Sequence, residues 1–431
     1  MQTVGVGVIG FGTVGAGVVE GLLHNGDLLA QRLGVEPILK GIADLDIETD
    51  RGIGLPPEIL TTDAHALIER EDVGIIVELV GGTTIARTIV EKSLKMGKPV
   101  VTANKKLLAE YGESLYALSQ KHQTDLYFGA SVGGGIPIIR ALREGLAGNR
   151  ILSIQGILNG TSNYILTRME QEGLPFETVL EDAQRLGFAE ADPSLDIDGH
   201  DTAHKAVILA SLAYGKPFEL QKVHIEGIRS LVRTDVEQAA ALGYRIKLLA
   251  IICRDEDTVE VRVAPTLVPQ RSLLASVNGV FNAVMVESDL ADKTMYYGRG
   301  AGRLPTASTV LADIADAARN LTMDAMTRVP AIPPTGESLQ LKSMDKIRCR
   351  YYLRLLVEDE PGVLAKITGI LAKRDISIES FIQTQPDMQG DASLVIVTHE
   401  ACEADMNRAL EAIKELPIVK APTVRLRIAA V

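Results

Sequence analysis

The most constraining feature of this chain lies in its first fifteen residues. An apolar run, Val4-Gly5-Val6-Gly7-Val8-Ile9, leads straight into Gly10-Phe11-Gly12-Thr13-Val14-Gly15. The run reads as a strand buried on both faces, and the G-x-G-x-x-G turn opens a helix from about residue 12 to 23. Each glycine has its own reason. Gly10 permits a tight turn, Gly12 lets backbone approach a pyrophosphate, and Gly15 lets the helix pack on the sheet. The phosphates then meet the free N–H groups at the helix N-terminus, where the dipole favours an anion.

Further strands read at "PILKGIAD", "GIIVELVG" (74–81), "PVVTAN" (99–104) and "DLYFGAS" (125–131), with helical segments between them. Strands alternating with helices mean βαβ units and a parallel sheet, so residues 1–135 are expected to form an α/β, Rossmann-type dinucleotide-binding domain. From 136 to 330 the pattern is α+β, a mixed sheet covered by helices, read as a catalytic and dimerisation domain whose last helix returns to the first. "PAIPPTGES" (330–338) marks a linker, taken as 331–346. Residues 347–431 then read βαββαβ, a complete small domain.

Composition narrows the partners. The formal net charge of −12 argues against nucleic acid, whose phosphates need a basic face. Cys253, Cys349 and Cys402 lie far apart and form no metal pattern, which fits a reducing cytoplasm. No apolar stretch is long enough to span a bilayer, and the N-terminus carries no basic leader.

Asp44 ends the second strand, where an acid can bind a ribose 2′-OH. With Asp46 beside it and no arginine immediately following, it leans toward NAD. Asp44 follows Gly15 by 29 residues, longer than usual, and Arg51 could still reach a phosphate, so a turn role for Asp44 and Asp46 stays open. Lys105 and Lys106 follow a strand at the edge where open α/β sheets bind ligands. Either could reach a nicotinamide or substrate, or simply be a solvated helix-start lysine.

The densest charge is "EADPSLDIDGHDTAHK" (190–205), which leads into the apolar "AVILASLAYG". In a helix from about residue 199, Asp201, Lys205, Ile208 and Leu212 share one face. The rest is so apolar that the helix is buried nearly all round, and a lysine there must be paired or functional. Asp201, one turn earlier, is within reach. The pair is either a proton-transfer site or a buried salt bridge without chemistry. Asp198 suits a helix N-cap. "HDTAH" is not the HExxH of a zinc enzyme and the EF-hand spacing fails. The acids are better read as a polar rim for an ammonium group, with Glu190 the leading anion.

These segments together resemble homoserine dehydrogenase of the long type with a C-terminal ACT domain. The likeness rests on "GFGTVG", "VTANKKLLA", "ASVGGGIPII", "GILNGTSNYIL", "EADPSLDIDGHDTAHK" and "GAGRLPTAS", in that order, and covers essentially the whole chain. It implies NAD(P)-dependent interconversion of L-homoserine and L-aspartate 4-semialdehyde, in threonine, methionine and isoleucine biosynthesis. By the resemblance, Lys205 is the proton-transfer lysine, with Asp201 beside it and Lys105 near nicotinamide and substrate. Glu190 binds the substrate amino group, Asp196 lies near the same substrate, and Gly302 closes over the cofactor. The family also holds a monovalent cation, usually sodium, mainly by backbone carbonyls, which match Gly129, Val132, Gly134 and Ile136. This chain departs there, with Gly129 where the family typically has glutamate.

The resemblance extends to "VEDEPGVLAKITGILAKRDISIESF" (357–381), an ACT pattern of strand, Asp-x-Pro-Gly turn, helix and strand. Such domains pair and bind amino acids, which points to Gly362, Ile376 and Ser377, to L-threonine as an inhibiting effector, and to a homodimer or homotetramer. A bare dimerisation module is the alternative. Two other functions compete. A semialdehyde dehydrogenase needs a nucleophilic cysteine, and Cys253 sits inside the apolar "LLAIICR". A non-catalytic, amino-acid-gated dinucleotide sensor would not need an intact Lys205–Asp201 pair.

Overall fold

A computed structural model describes residues 2–333, 338–383 and 391–430. The chain forms two compact units, each built from several stretches of sequence. The first comprises residues 1–160, 201–223 and 280–339; the second comprises 161–200, 224–279 and 340–431. These units do not follow the boundaries at 135/136 and 330/331. The dinucleotide-binding segment lies wholly in the first and the ACT segment wholly in the second, while the stretch between them is divided. Part of the expected linker, 334–337, lies outside the described residues.

In the first unit, β1 (Gln2–Ile9), β2 (Val35–Ala43), β3 (Leu60–Thr61), β4 (Ile75–Glu78), β5 (Val100–Thr102) and β6 (Leu126–Tyr127) form one sheet, ordered β3-β2-β1-β4-β5-β6. Every pairing is parallel. The order reverses between β1 and β4, the switch point at which open sheets of this kind bind dinucleotides. Alternate residues serve opposite faces. Val6, Val8, Ile75 and Val77 pack in one core with helix α1 (Thr13–Leu33) and the Arg303–Thr322 helix. Ile9 and Ile76 pack in another with Leu67, Ile68 and Ile89 from α2 (Ala64–Glu69) and α3 (Thr84–Lys95). Burial on both faces is why these strands read as continuous apolar runs.

Helix α1 runs ten residues past its expected end. His24-Asn25-Gly26 reads as a break, and a mid-helix glycine costs about 1 kcal/mol relative to alanine. Burial of Leu22 and Ala30, with Leu29 and Leu33 packed on the same core, outweighs that cost. The helix stops where Gly34 turns left-handed (φ 74°) and its N–H caps the Ala30 carbonyl. This extra length accounts for the long spacing from Gly15 to Asp44.

The same unit contains an antiparallel sheet with Phe281–Ser288 between Ile151–Ile157 and Asp292–Arg299. It also contains nearly all of the His200–Tyr214 helix, of which all but His200 and Ala213 are buried. Asp198 does not cap that helix; its carboxylate pairs with Arg229 at 3.0 Å. No helix among the described residues is long and apolar enough to cross a membrane.

In the second unit, Tyr244–Asp255 and Thr258–Pro269 form a long antiparallel pair. The C-terminal βαββαβ segment gives a four-stranded antiparallel sheet in the order Val424–Ile428, Arg348–Glu358, Asp391–Thr398, Ile378–Gln383. Its helices, Val363–Ala372 and Glu403–Lys414, share one core with it. The last strand is shared. Val424–Ile428 runs antiparallel to Arg348–Glu358 and also parallel to Thr258–Pro269, with Thr266 opposite Arg427 and Leu267 opposite Ile428. Arg427, fully buried, bridges Glu226 at 2.8 Å and Glu403. The ACT segment is therefore continuous with its neighbour through one strand and one buried ion network, rather than free-standing.

Burial alone would raise the Glu226 carboxyl, but hydrogen bonds from His224 and Arg427 and the nearby guanidinium charges hold it well below the usual range. A carboxylate with a depressed folded value stabilises above its unfolded pKa, near 4.3, and that stabilisation is lost on acidification. Arg427→Leu should take the buried guanidinium from Glu403 and half-buried Glu226, leaving Arg425 as their shared partner, and cost about 1.5–3 kcal/mol. Urea unfolding at neutral pH checks the loss, and the penalty should shrink as pH falls below about 4 and the carboxylates protonate.

Candidate active site

The glycine turn has the division of labour expected of it. Gly10 has φ 102°, and a Cβ there would lie 2.5 Å from the Leu79 carbonyl carbon. A Cβ on Gly15 would lie 2.0 Å from the Gly10 carbonyl oxygen. Gly12 is different: it is exposed, and a Cβ on it would meet nothing within 4 Å. The first two glycines are required by the protein's own packing, whereas Gly12 borders open space at the start of α1, with Thr13 exposed and Val14 half-buried beside it. An uncapped helix N-terminus facing that space suits a pyrophosphate.

Asp44 follows β2 directly and lies against the turn. Its carboxylate accepts the Phe11 N–H and, at 2.9 Å, the Asp46 N–H. Arg51 donates to the Phe11 carbonyl at 3.1 Å, packs over the Phe11 ring and pairs with Asp46 at 3.0 Å. Gly302 precedes the Arg303–Thr322 helix with φ 121°, a conformation that favours glycine. The next residue, Arg303, pairs with Glu20 of α1 at 2.8 Å.

Lys205, Asp201 and Lys105 come together. Lys205 is buried, and its Nζ donates to the Leu158 carbonyl at 2.6 Å and to Asp201 Oδ2 at 2.7 Å. Lys105 opens α4 (Lys105–Lys121) immediately beyond β5, and its Nζ pairs with Asp201 Oδ1. Lys106 instead faces Glu110 at 3.9 Å. Three segments thus meet: the carboxyl edge of the parallel sheet, the end of the Ile151–Ile157 strand and the first turns of a buried helix. Asp201 is 2% exposed. Burial alone would raise its carboxyl, but the ammonium groups of Lys205 and Lys105 hold it well below the usual carboxylate range. It therefore stays ionised at any working pH.

Sequence reasoning missed Asn159, whose Nδ2 donates to Asp201 Oδ2 at 2.9 Å. Its signal was present in "GILNGTSNYIL", a polar residue directly after an apolar strand. Glu190 and Asp196 belong to the second unit; Glu190 is exposed, and the Asp196 carbonyl accepts the Ser162 hydroxyl at 3.0 Å.

Gly129, Val132, Gly134 and Ile136 lie on one buried loop, with only Gly135 exposed along 129–136. The Arg303–Thr322 helix holds that loop twice. Asp313 accepts the Gly129 N–H at 2.8 Å, and Thr309 donates to the Gly134 carbonyl at 2.6 Å. Burial pushes the Asp313 carboxyl up to about 7. In the ACT segment Gly362 (φ 93°) and Ser377 are exposed. The Ile376 side chain is buried in the core of the segment.

A switch-point glycine turn beside a lysine–carboxylate–lysine cluster defines a dinucleotide-dependent oxidoreductase. Comparison with known proteins narrows the class. A family profile described as homoserine dehydrogenase matches residues 137–315, its NAD-binding domain matches 10–129, and the ACT domain matches 351–418. Homoserine dehydrogenase of Neisseria gonorrhoeae is 46% identical over 430 residues, 99% of each chain. That of Bacillus subtilis is 40% identical over 421 residues, 97% of each. A crystal structure of the Thiobacillus denitrificans homoserine dehydrogenase superposes with a TM-score of 0.94 at 43% identity, covering 100% of this chain and 99% of that one. A hyperthermophilic archaeal homoserine dehydrogenase in complex with NADPH gives 0.63 at 29% identity, over 73% of this chain and 98% of that one. The chain belongs to the homoserine dehydrogenase family.

The glycines separate binding from folding. Gly12→Ala should change stability by no more than about 0.5 kcal/mol yet weaken NADPH binding about tenfold or more, a loss of about 1.4 kcal/mol. Gly15→Ala should cost about 1–3 kcal/mol of stability through overpacking. Thermal melts and NADPH fluorescence titrations of both variants check the contrast.

Proposed function

We propose that this chain interconverts L-homoserine and L-aspartate 4-semialdehyde with NAD(P), with Lys205 as the proton-transfer group. The observation that carries the reading is the buried Lys205–Asp201–Lys105 cluster at the carboxyl edge of the parallel sheet. The nicotinamide, when bound at the glycine turn, supplies or accepts the hydride. In the reducing direction the Lys205 ammonium stabilises the developing alkoxide and gives it a proton; in the oxidising direction the neutral amine takes the proton of the homoserine hydroxyl. Asp201 holds both lysine nitrogens, and Lys105 carries positive charge from the β5 edge. Glu190 and Asp196 are assigned to the substrate's ammonium end on the family resemblance.

Asp44 leans the cofactor preference toward NAD, since the carboxylate suits a free ribose 2′-OH and Arg51 is already held by Asp46. The archaeal NADPH complex keeps NADP in play. A sodium ion, as the resemblance implies, would be held by the carbonyls of Gly129, Val132, Gly134 and Ile136. These are hard oxygen donors, with the buried Asp313 carboxyl hydrogen-bonded to the same loop. L-threonine inhibition through the ACT segment, at Gly362, Ile376 and Ser377, and a homodimer or homotetramer in the cytoplasm complete the proposal. Signalling from the ACT segment would run through the shared Val424–Ile428 strand.

Purified enzyme should reduce NAD or NADP only when homoserine is present, and L-threonine should lower the rate. Lys205→Ala should lower kcat about 10²–10⁴-fold with NADPH affinity retained. Steady-state rates with each dinucleotide, with and without threonine, check all three points. Turnover in Lys205→Ala close to the parent rate would remove Lys205 from the chemistry.

A further inference from the structure

Glu78 is a buried acid that the reaction described above does not use. It ends β4 with no exposed surface, and burial pushes its carboxyl up against the hydrogen bonds it accepts. Its oxygens are committed in two directions. Oε1 accepts the N–H groups of Val80 at 2.9 Å and Gly81 at 3.3 Å. Oε2 accepts the Thr102 hydroxyl, at the end of β5, at 2.6 Å.

The second direction continues. The Thr102 hydroxyl oxygen accepts the Asn104 N–H at 3.0 Å. Asn104 Oδ1 caps α4 by accepting the Leu107 N–H at 3.0 Å, and its Nδ2 donates to the Gly82 carbonyl at 2.7 Å. A closed ring of hydrogen bonds therefore joins the end of β4, the 80–82 turn, the end of β5 and the first turn of α4, where Lys105 stands. In the first direction, the Leu79 and Val80 backbone fixed by Glu78 is the surface against which Gly10 sits, at 2.5 and 2.8 Å from a Cβ position.

Stability alone does not account for this acid. A buried carboxylate costs free energy that an apolar side chain of the same size would not. What the carboxylate offers is acceptors on both sides, facing the Val80 and Gly81 N–H groups on one and the Thr102 and Asn104 side chains on the other. Lys105 needs such support. Its side chain is long and about a third exposed, so its aim at Asp201 depends on the backbone from which it springs.

We infer that Glu78 is a positioning residue: through Thr102 and Asn104 it fixes the root of Lys105, and through residues 79–82 it seats the glycine turn. It touches neither substrate nor dinucleotide. The inference rests on the role given to Lys105 under the proposed function.

The two branches can be cut separately. Thr102→Val removes the hydroxyl and only the Lys105 branch. Thr102→Ser keeps the hydroxyl, and Glu78→Gln cuts both branches. With homoserine as substrate, kcat in Thr102→Val should fall by more than about fivefold while NADPH affinity stays within about twofold. Thr102→Ser should recover most of the loss, and Glu78→Gln should lose both turnover and NADPH affinity. A merely structural role would lower the melting temperature without this split. A kcat in Thr102→Val within about fivefold of the parent, or Thr102→Ser as impaired as Thr102→Val, overturns the inference. Lys105→Ala is assayed alongside. If it is near the parent rate, the role of Lys105 itself is wrong; if it is inactive while Thr102→Val is not, only the Glu78 branch fails.

Discussion

One carboxylate carries the site. Asp201 is almost wholly removed from water, which is unaffordable for a lone anion, and it is held by two lysines, an asparagine and the helix that bears it. With both lysines protonated the cluster holds two positive charges against one negative. That imbalance is costly at rest, and in the proposed reaction it would be relieved as negative charge develops on the reacting oxygen. A preorganised surplus of this kind around a buried carboxylate would lower the barrier without reorganising at the moment of reaction. The long buried helix, the β5 edge and the Leu158–Asn159 turn are what keep the imbalance fixed in space.

Much of this was legible in the sequence because local rules and tertiary structure agreed. The glycine turn, the alternation of strand and helix and the Asp201–Lys205 spacing are all short-range patterns, and each reappears in three dimensions. What escaped was set by longer-range packing. Helix α1 passes through Asn25-Gly26 because Leu22, Leu29 and Leu33 pack in the core it shares with the Arg303–Thr322 helix, and nothing local announces that partner. Asn159 is an ordinary polar residue after a strand until Asp201 arrives from forty-two residues away.

The compact units differ from the sequence-drawn segments for a related reason. Sequential boundaries follow composition, whereas compactness follows pairing. Once Val424–Ile428 pairs on both edges, the ACT sheet and the Thr258–Pro269 strand share backbone hydrogen bonds, and the Glu226–Arg427–Glu403 network places buried charge across the same junction. Such a seam resists sliding, because a one-residue slip would turn Arg427 away from both glutamates. Truncating the C-terminal segment therefore removes a strand and half of an ion network, as well as any effector site.

The departure at Gly129 has a steric counterpart far away in sequence. A Cβ at this position would lie 2.9 Å from both carboxylate oxygens of Asp313 and 3.0 Å from Thr309 Cγ2. A glutamate at 129 and Asp313 in its present place exclude one another. A side chain at 129 and the Asp313 carboxyl bonded to the Gly129 N–H therefore compete for one space, which this chain fills from the helix. Burial pushes that carboxyl up, and the loop backbone beside it follows a left-handed turn at Gly133 and Gly134.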